Sequence, residues 1–124
     1  MYAQAQSYTL EAQQIYQHIG SHSGVAQTNQ NLAAIYADLD SMDTSLSYML
    51  AALESWKAQE NDFKVAWGYS NLGGVYNYME DYEKADEAFL KAIELFKEVD
   101  DPHGHATVSY YSAKNLIDRK SYQA

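Results

Sequence analysis

The stretch Tyr69-Ser70-Asn71-Leu72-Gly73-Gly74-Val75-Tyr76, followed nine residues later by Ala85-Asp86-Glu87-Ala88-Phe89, decides the fold. It reads as two paired helices that meet at small residues. Shifting the sequence by 40 lays Asn31-Leu32-Ala33-Ala34-Ile35-Tyr36 over Asn71-Leu72-Gly73-Gly74-Val75-Tyr76. One helix-pair unit is therefore written at least twice, and the chain is a repeat protein.

Composition agrees with helix. A single proline and six glycines, placed mostly between periodic segments, suit a chain whose long stretches are helical, because both residues are penalised inside helices. The twelve tyrosines recur at helical spacing and do not alternate as strand residues would. With 124 residues and 47% hydrophobic composition, one folding unit with an ample core is expected. Seventeen acidic against eight basic side chains give a net charge of −9, with no basic cluster, so nucleic acid and anionic membrane are poor partners. No run approaches the roughly 18 apolar residues of a membrane span, and the first residues lack a signal-peptide pattern. The absence of cysteine fits a reducing compartment, and the cytoplasm is the expected location.

Apolar spacing predicts six helices, at residues 3–19, 25–38, 43–59, 64–79, 82–98 and 105–117. The first would bury Tyr8, Ala12, Ile15, Tyr16 and Ile19 and end at Gly20. The second would bury Ala26, Leu32, Ala33, Ile35, Tyr36 and Leu39, and the third Leu46, Met49, Leu50, Leu53 and Trp56, with Asp40 or Ser41 as its cap. The fifth would bury Ala85, Phe89, Ala92, Ile93 and Phe96, and Pro102 would stop it. The sixth would bury Val108, Tyr111, Ala113 and Leu116, with a turn at 118–121 and the start of a further helix at 122. With period 40 the first, third and fifth helices are equivalent, as are the second, fourth and sixth. Naming these sets B and A, the order is B-A-B-A-B-A, and the last residues stand in the register of the first.

The residues Tyr69-x2-Leu72-Gly73-x2-Tyr76, Ala85-x3-Phe89 and Pro102 resemble the tetratricopeptide repeat, with tyrosine in place of its leading tryptophan. Asn29-x2-Leu32-Ala33-x2-Tyr36 and Ser45-x3-Met49 are a looser copy. The period of 40 is similar to the longer variant of the family found in signalling and regulatory proteins. The resemblance implies an all-α fold of antiparallel helix hairpins stacked as a right-handed α-solenoid. Its divisions here are a half repeat at 1–23, repeats at 24–63 and 64–103, and a half repeat at 104–124.

The resemblance also implies a protein-interaction module that binds a peptide or protein segment on a concave face lined by A helices, within a larger regulatory or signalling protein. Leu32, Tyr36, Leu72 and Tyr76 match packing positions. The residues implied for the groove are Gln27, Gln30, Asn31, Ala34, Asp38, Trp67, Ser70, Asn71, Gly74, Asn77, Tyr78, Thr107, Tyr110, Tyr111 and Lys114. Asn31 and Asn71 share one repeat position, where an amide could clamp a peptide backbone or simply bond within its own helix. Trp67 could anchor a partner or pack against a neighbouring helix. Gly74 costs roughly 1 kcal/mol against alanine in a helix, for which tight packing is the first explanation and room for a ligand backbone the second. The net charge favours a neutral or basic guest over an acidic one.

No enzyme, metal or cofactor site is expected. His18 and His22 are separated by Gly20, and His103 and His105 flank Gly104 in a turn. Glu80, Asp81, Glu83, Asp86 and Glu87 sit where carboxylates favour the positive end of a helix and lack the spacing of a calcium loop. An alternative to peptide binding is self-assembly. The first B helix and the last A helix each expose an apolar face, which dimerisation or head-to-tail stacking would cover.

Overall fold

The computed structural model describes residues 2–123. Among them are six helices: α1 (Tyr2–His18), α2 (His22–Asp38), α3 (Met42–Ala58), α4 (Asp62–Tyr78), α5 (Tyr82–Glu98) and α6 (Pro102–Gln123). No described residue lies in a strand. The chain divides into two compact units, Met1–Asn61 with α1 to α3 and Asp62–Ala124 with α4 to α6. In each unit consecutive helices pack as antiparallel neighbours, joined by links too short for any other arrangement.

The links share one chemistry. Gly20, Asp40, Glu60, Glu80 and Asp100 all have φ between 54° and 74°, one every 20 residues. Around each, two amides turn back onto the helix just ended. Asp81 N–H donates to the Tyr76 carbonyl at 2.9 Å and Glu80 N–H to the Asn77 carbonyl at 3.0 Å, and the same pair recurs as Ser41 to Tyr36 with Asp40 to Ala37. This is the Schellman termination, which satisfies carbonyls that the helix leaves unpaired. The residue receiving the longer bond is aromatic every time: Tyr16, Tyr36, Trp56, Tyr76 and Phe96. The next helix is then capped from the same link, by Ser21 on Gly24 N–H, Asp81 on Lys84 N–H and Asp101 on Gly104 N–H.

Glycine is the residue suited to the left-handed position, yet it holds only the first of the five. An L-residue there costs roughly 1–2 kcal/mol, partly offset because glycine loses more chain entropy on folding. Glu80→Gly is accordingly expected to stabilise the chain by about 0.5–1 kcal/mol, read as a higher urea midpoint at unchanged slope. A lower midpoint would show that the glutamate side chain contributes more than its backbone conformation costs.

The core of the second unit gathers Ala66, Ala85, Phe89, Ala92, Phe96 and Val108, with Trp67, Tyr69, Tyr76, Ile93, Leu95 and Val99 packed on it. Gly73 is needed here, because a Cβ at this position would stand 2.5 Å from the Phe89 ring. The first unit buries Ala26, Leu32, Ala33, Met49, Ala52, Leu53 and Trp56, and Ser45 donates its hydroxyl to the Ala33 carbonyl at 2.7 Å.

Several sequence expectations are corrected. Pro102 does not merely end α5; it is the first residue of α6, where its absent N–H is no loss. The turn expected at 118–121 is helical, since α6 runs on to Gln123. On α6 the inward residues are Gly104, Val108, Ser112 and Asn115, whereas Tyr111, Ala113 and Leu116 are exposed. Leu39 and Leu50 are likewise exposed, at 44% and 39%. On α1 no residue is fully buried, and Tyr8 and Ile15 on it and Ile19 just after it are 70%, 55% and 65% exposed. It meets α2 through amides instead: Gln13 Nε2 donates to Thr28 Oγ1 at 3.1 Å and to Asn29 Oδ1 at 2.6 Å, and Gln6 Nε2 donates to the Tyr36 hydroxyl. Tyr16 also lies flat on α2, over Gly24, where a Cβ would collide with its ring.

Candidate interaction surfaces

In the first unit the expected binding residues lie on α2. Gln27, Asn31, Ala34 and Asp38 are exposed and Gln30 is half-buried. Gln27 Nε2 donates to Gln30 Oε1 at 3.3 Å and to Asn31 Oδ1 at 3.4 Å. These long, exposed bonds compete with water, so a guest could replace them at little cost.

In the second unit the expected residues separate into two groups. Asn71, Gly74 and Tyr78 on α4 and Tyr110, Tyr111 and Lys114 on α6 are exposed. Ser70, Asn77 and Trp67 are not free surface. Ser70 is only 4% exposed, which removes it from any contact with a guest. It precedes Asn77 by two helical turns and shares its side of α4. Asn77 Nδ2 donates to Asn115 Oδ1 at 2.9 Å and to Asp118 Oδ2 at 3.4 Å, so this side of α4 faces α6. Trp67 is half-buried, its ring edge-on to Phe96 at 4.8 Å and to Phe63 at 6.4 Å. It packs within its unit and does not stand free as an anchor.

Gly74 differs from Gly73 beside it. A Cβ built on Gly74 meets nothing within 4 Å, so tight packing does not explain this glycine. On α6, Tyr111 leans on Phe89 with ring centroids 6.4 Å apart and Tyr110 stands beside it at 5.8 Å, 67% exposed. Lys114 Nζ lies 3.7 Å from Asp118 Oδ2, a solvated pair of small energetic consequence that leaves the ammonium accessible.

A cleft of about 290 Å³ between α4 and α5 was not foreseen. It is lined by Tyr69, Leu72, Tyr76, Lys84, Glu87, Ala88 and Lys91. Lys84 sits over the Tyr76 ring at 5.7 Å and Lys91 over the Tyr69 ring at 5.4 Å. The signal was present in the sequence, because the two tyrosines and the two lysines are each seven residues apart and so share a helix face. No group of three or more His, Asp or Glu side chains able to hold a metal occurs among the described residues, and no described helix is long and apolar enough to cross a membrane.

Comparison with known proteins agrees with this geometry. The crystal structure of BtubC (BKLC) from P. vanneervenii superposes with a TM-score of 0.74 at 21% identity, over 97% of this chain. The chain spans about half of that protein, 53% of its length, so the likeness speaks for the fold. No curated protein matches the sequence. A family model for the tetratricopeptide repeat matches residues 24–98, more than half of the chain, ending where α5 ends. Repeat spacing, helix-pair packing and family match coincide, and the chain belongs to the tetratricopeptide repeat family.

Proposed function

We propose that this chain, whose family's repeats mediate protein–protein interactions, binds an extended peptide or protein segment through the exposed side chains of its A helices. The reading is supported above all by Gly74. An interior helix glycine costs roughly 1 kcal/mol against alanine, and no neighbouring atom requires it here. Exposed Asn71 lies one turn before it and exposed Tyr78 one turn after, so the missing Cβ opens the helix surface between an amide and an aromatic ring. A guest backbone can approach closely there, with the Asn71 amide offering both a donor and an acceptor. Gln27 and Asn31 supply the corresponding polar strip on α2, and Tyr110, Tyr111 and Lys114 that on α6. The net charge of −9 favours a neutral or basic segment, and a cysteine-free chain suits a cytoplasmic regulatory or signalling protein.

The test has two readouts that move in opposite directions. Gly74→Ala should stabilise the chain by about 0.5–1 kcal/mol, because alanine is the better helix former and its methyl group has space. The same change should weaken capture of peptides selected from a random library by about tenfold, as should Asn71→Ala, each removing roughly 1.4 kcal/mol of contact. Selected peptides that bind both variants as well as the parent chain would overturn the assignment.

A further inference from the structure

We propose that the cleft between α4 and α5 binds a small aromatic acid, a molecule with one aryl ring and a carboxylate on a short arm. The cleft opens on the side of α4 turned to α5, and so is separate from the strip of Asn71, Gly74 and Tyr78. The repeat itself shows what this space accepts. Forty positions earlier Tyr76 becomes Tyr36 and Ala88 becomes Tyr48. In the first unit the Tyr48 ring stacks on Tyr36, centroids 5.5 Å and planes 10° apart. In the second unit alanine stands in place of that ring, and a cleft of about 290 Å³ lies beside Tyr76. Tyr69, where the first unit has Asn29, takes back only part of the space, since it lines the cleft without closing it. Leu72 and Ala88, 6% and 5% exposed, line it too, so an entering ring meets hydrocarbon and an aromatic face.

The charges that line the cleft identify the acid. Lys84 and Lys91 are two turns apart on α5, about 10 Å along its axis, where the first unit has Thr44 and Ala51. The ammonium groups thus belong to the repeat with the opening, not to the one whose opening a tyrosine fills. Lys84 is already shared, its Nζ 3.8 Å from Asp81 Oδ2 and 5.7 Å from the Tyr76 ring. Lys91 Nζ lies 5.4 Å from the Tyr69 ring and is in no ion pair among the described residues. A cation over an exposed ring is weakly held, and a carboxylate is its stronger partner. The aryl ring of the guest therefore lies on Leu72 and Ala88 beside Tyr76, with its carboxylate on Lys91. Glu87 lines the cleft between the two lysines, pairs with neither, and limits the affinity by repelling the guest's charge. Two ammonium groups to one carboxylate in the lining reverse the balance of the whole chain, so an anion is selected here. The volume is near the lower end of small-ligand pockets, roughly 300 Å³, which suits one ring on a short arm and not a run of residues.

Calorimetric titration of the full chain with N-acetylphenylalanine should show saturable binding. The carboxamide of the same compound, and N-acetylleucine, should each bind about tenfold more weakly, having lost the charge and the ring respectively. Lys91→Met keeps the apolar stem and removes the ammonium, so it should weaken the acid about tenfold and leave the amide unchanged, a split that a mere loss of packing does not produce. Glu87→Gln should tighten the acid. Tyr69→Asn together with Ala88→Tyr copies the first unit, and should keep the helical circular dichroism while abolishing binding. Lys91 and Glu87 are exposed, so their variants decide the matter even where that pair of changes disturbs the fold. No saturable binding by the parent chain, equal affinity for acid and amide, or a Lys91→Met chain that loses both alike would each overturn the proposal. So would capture of a peptide with an internal phenylalanine by a chain that ignores the free acid.

Discussion

Phe96→Ala should remove about 3–5 kcal/mol of stability from the second unit, the largest loss expected from any truncation in it. Phe96 is completely buried near the end of α5, it receives the edge of Trp67 at 4.8 Å, and its backbone carbonyl accepts the Asp101 amide in the link that follows. Its ring also lies against Gly104, where even a methyl group would collide with it. Truncation therefore leaves a void with glycine backbone as one wall, and a glycine has no side chain to fall into the space. The transfer loss and the cavity term then add with little relief. Since domains hold of order 5–15 kcal/mol in all, a large share of the unit's margin disappears. Urea unfolding followed by circular dichroism checks this, and tryptophan fluorescence in a Trp56→Phe background reports the Trp67 ring contact. A loss near 1 kcal/mol would mean that the site collapses freely.

Asn115→Leu should also destabilise, by about 1–3 kcal/mol, although it puts hydrocarbon at a fully buried position. Asn115 Oδ1 accepts from Asn77 Nδ2 at 2.9 Å and its Nδ2 donates to the Tyr82 carbonyl at 3.1 Å, so one amide joins α4, the start of α5 and α6. Leucine would leave the Asn77 donors with only the long 3.4 Å bond to Asp118 and the Tyr82 oxygen without this partner. Removing one side of a partly buried hydrogen bond costs more than the bond contributes, because the polar group left behind regains its lost bond to water only in part. Adding Asn77→Leu should therefore cost less than its single effect suggests, with a coupling of about 0.5–3 kcal/mol in the double-mutant cycle. Strict additivity, or a more stable Asn115→Leu, would remove the amide network from the account of α6.

Asn115 also shows what the sequence could and could not reveal. The fifth helix was legible to the residue, because Ala85, Phe89, Ala92 and Phe96 form one stripe that neighbours cover on both sides. The same reasoning on the sixth helix chose Ala113 and Leu116, yet the chain there turns Ser112 and Asn115 inward. Periodicity reports which face of a helix is apolar; whether another helix lies over that face is a matter of tertiary structure. The same holds for Tyr8, Ile15 and Ile19 at the other end of the chain. The left-handed conformation of the links was not legible, because Asp40, Glu60, Glu80 and Asp100 hold it without being glycine. Among the binding residues, Asn31, Asn71 and Gly74 are exposed as the helix wheel implied, whereas Ser70 is buried because the wheel carried no information on where the next A helix packs.

The amide seam between α1 and α2 gives the first helix an unusual thermodynamic character. Gln6 and Gln13 hold it largely by hydrogen bonds, and much of its hydrocarbon is already in water when the helix is docked. Undocking it therefore uncovers less apolar surface than opening α5 does, and both the heat capacity of that step and its sensitivity to urea are smaller. Opening of α5, which exposes Phe89 and Phe96, is steep in both. The two ends of the temperature scale consequently act on different parts of one chain: cold weakens the phenylalanine core more than the glutamine seam.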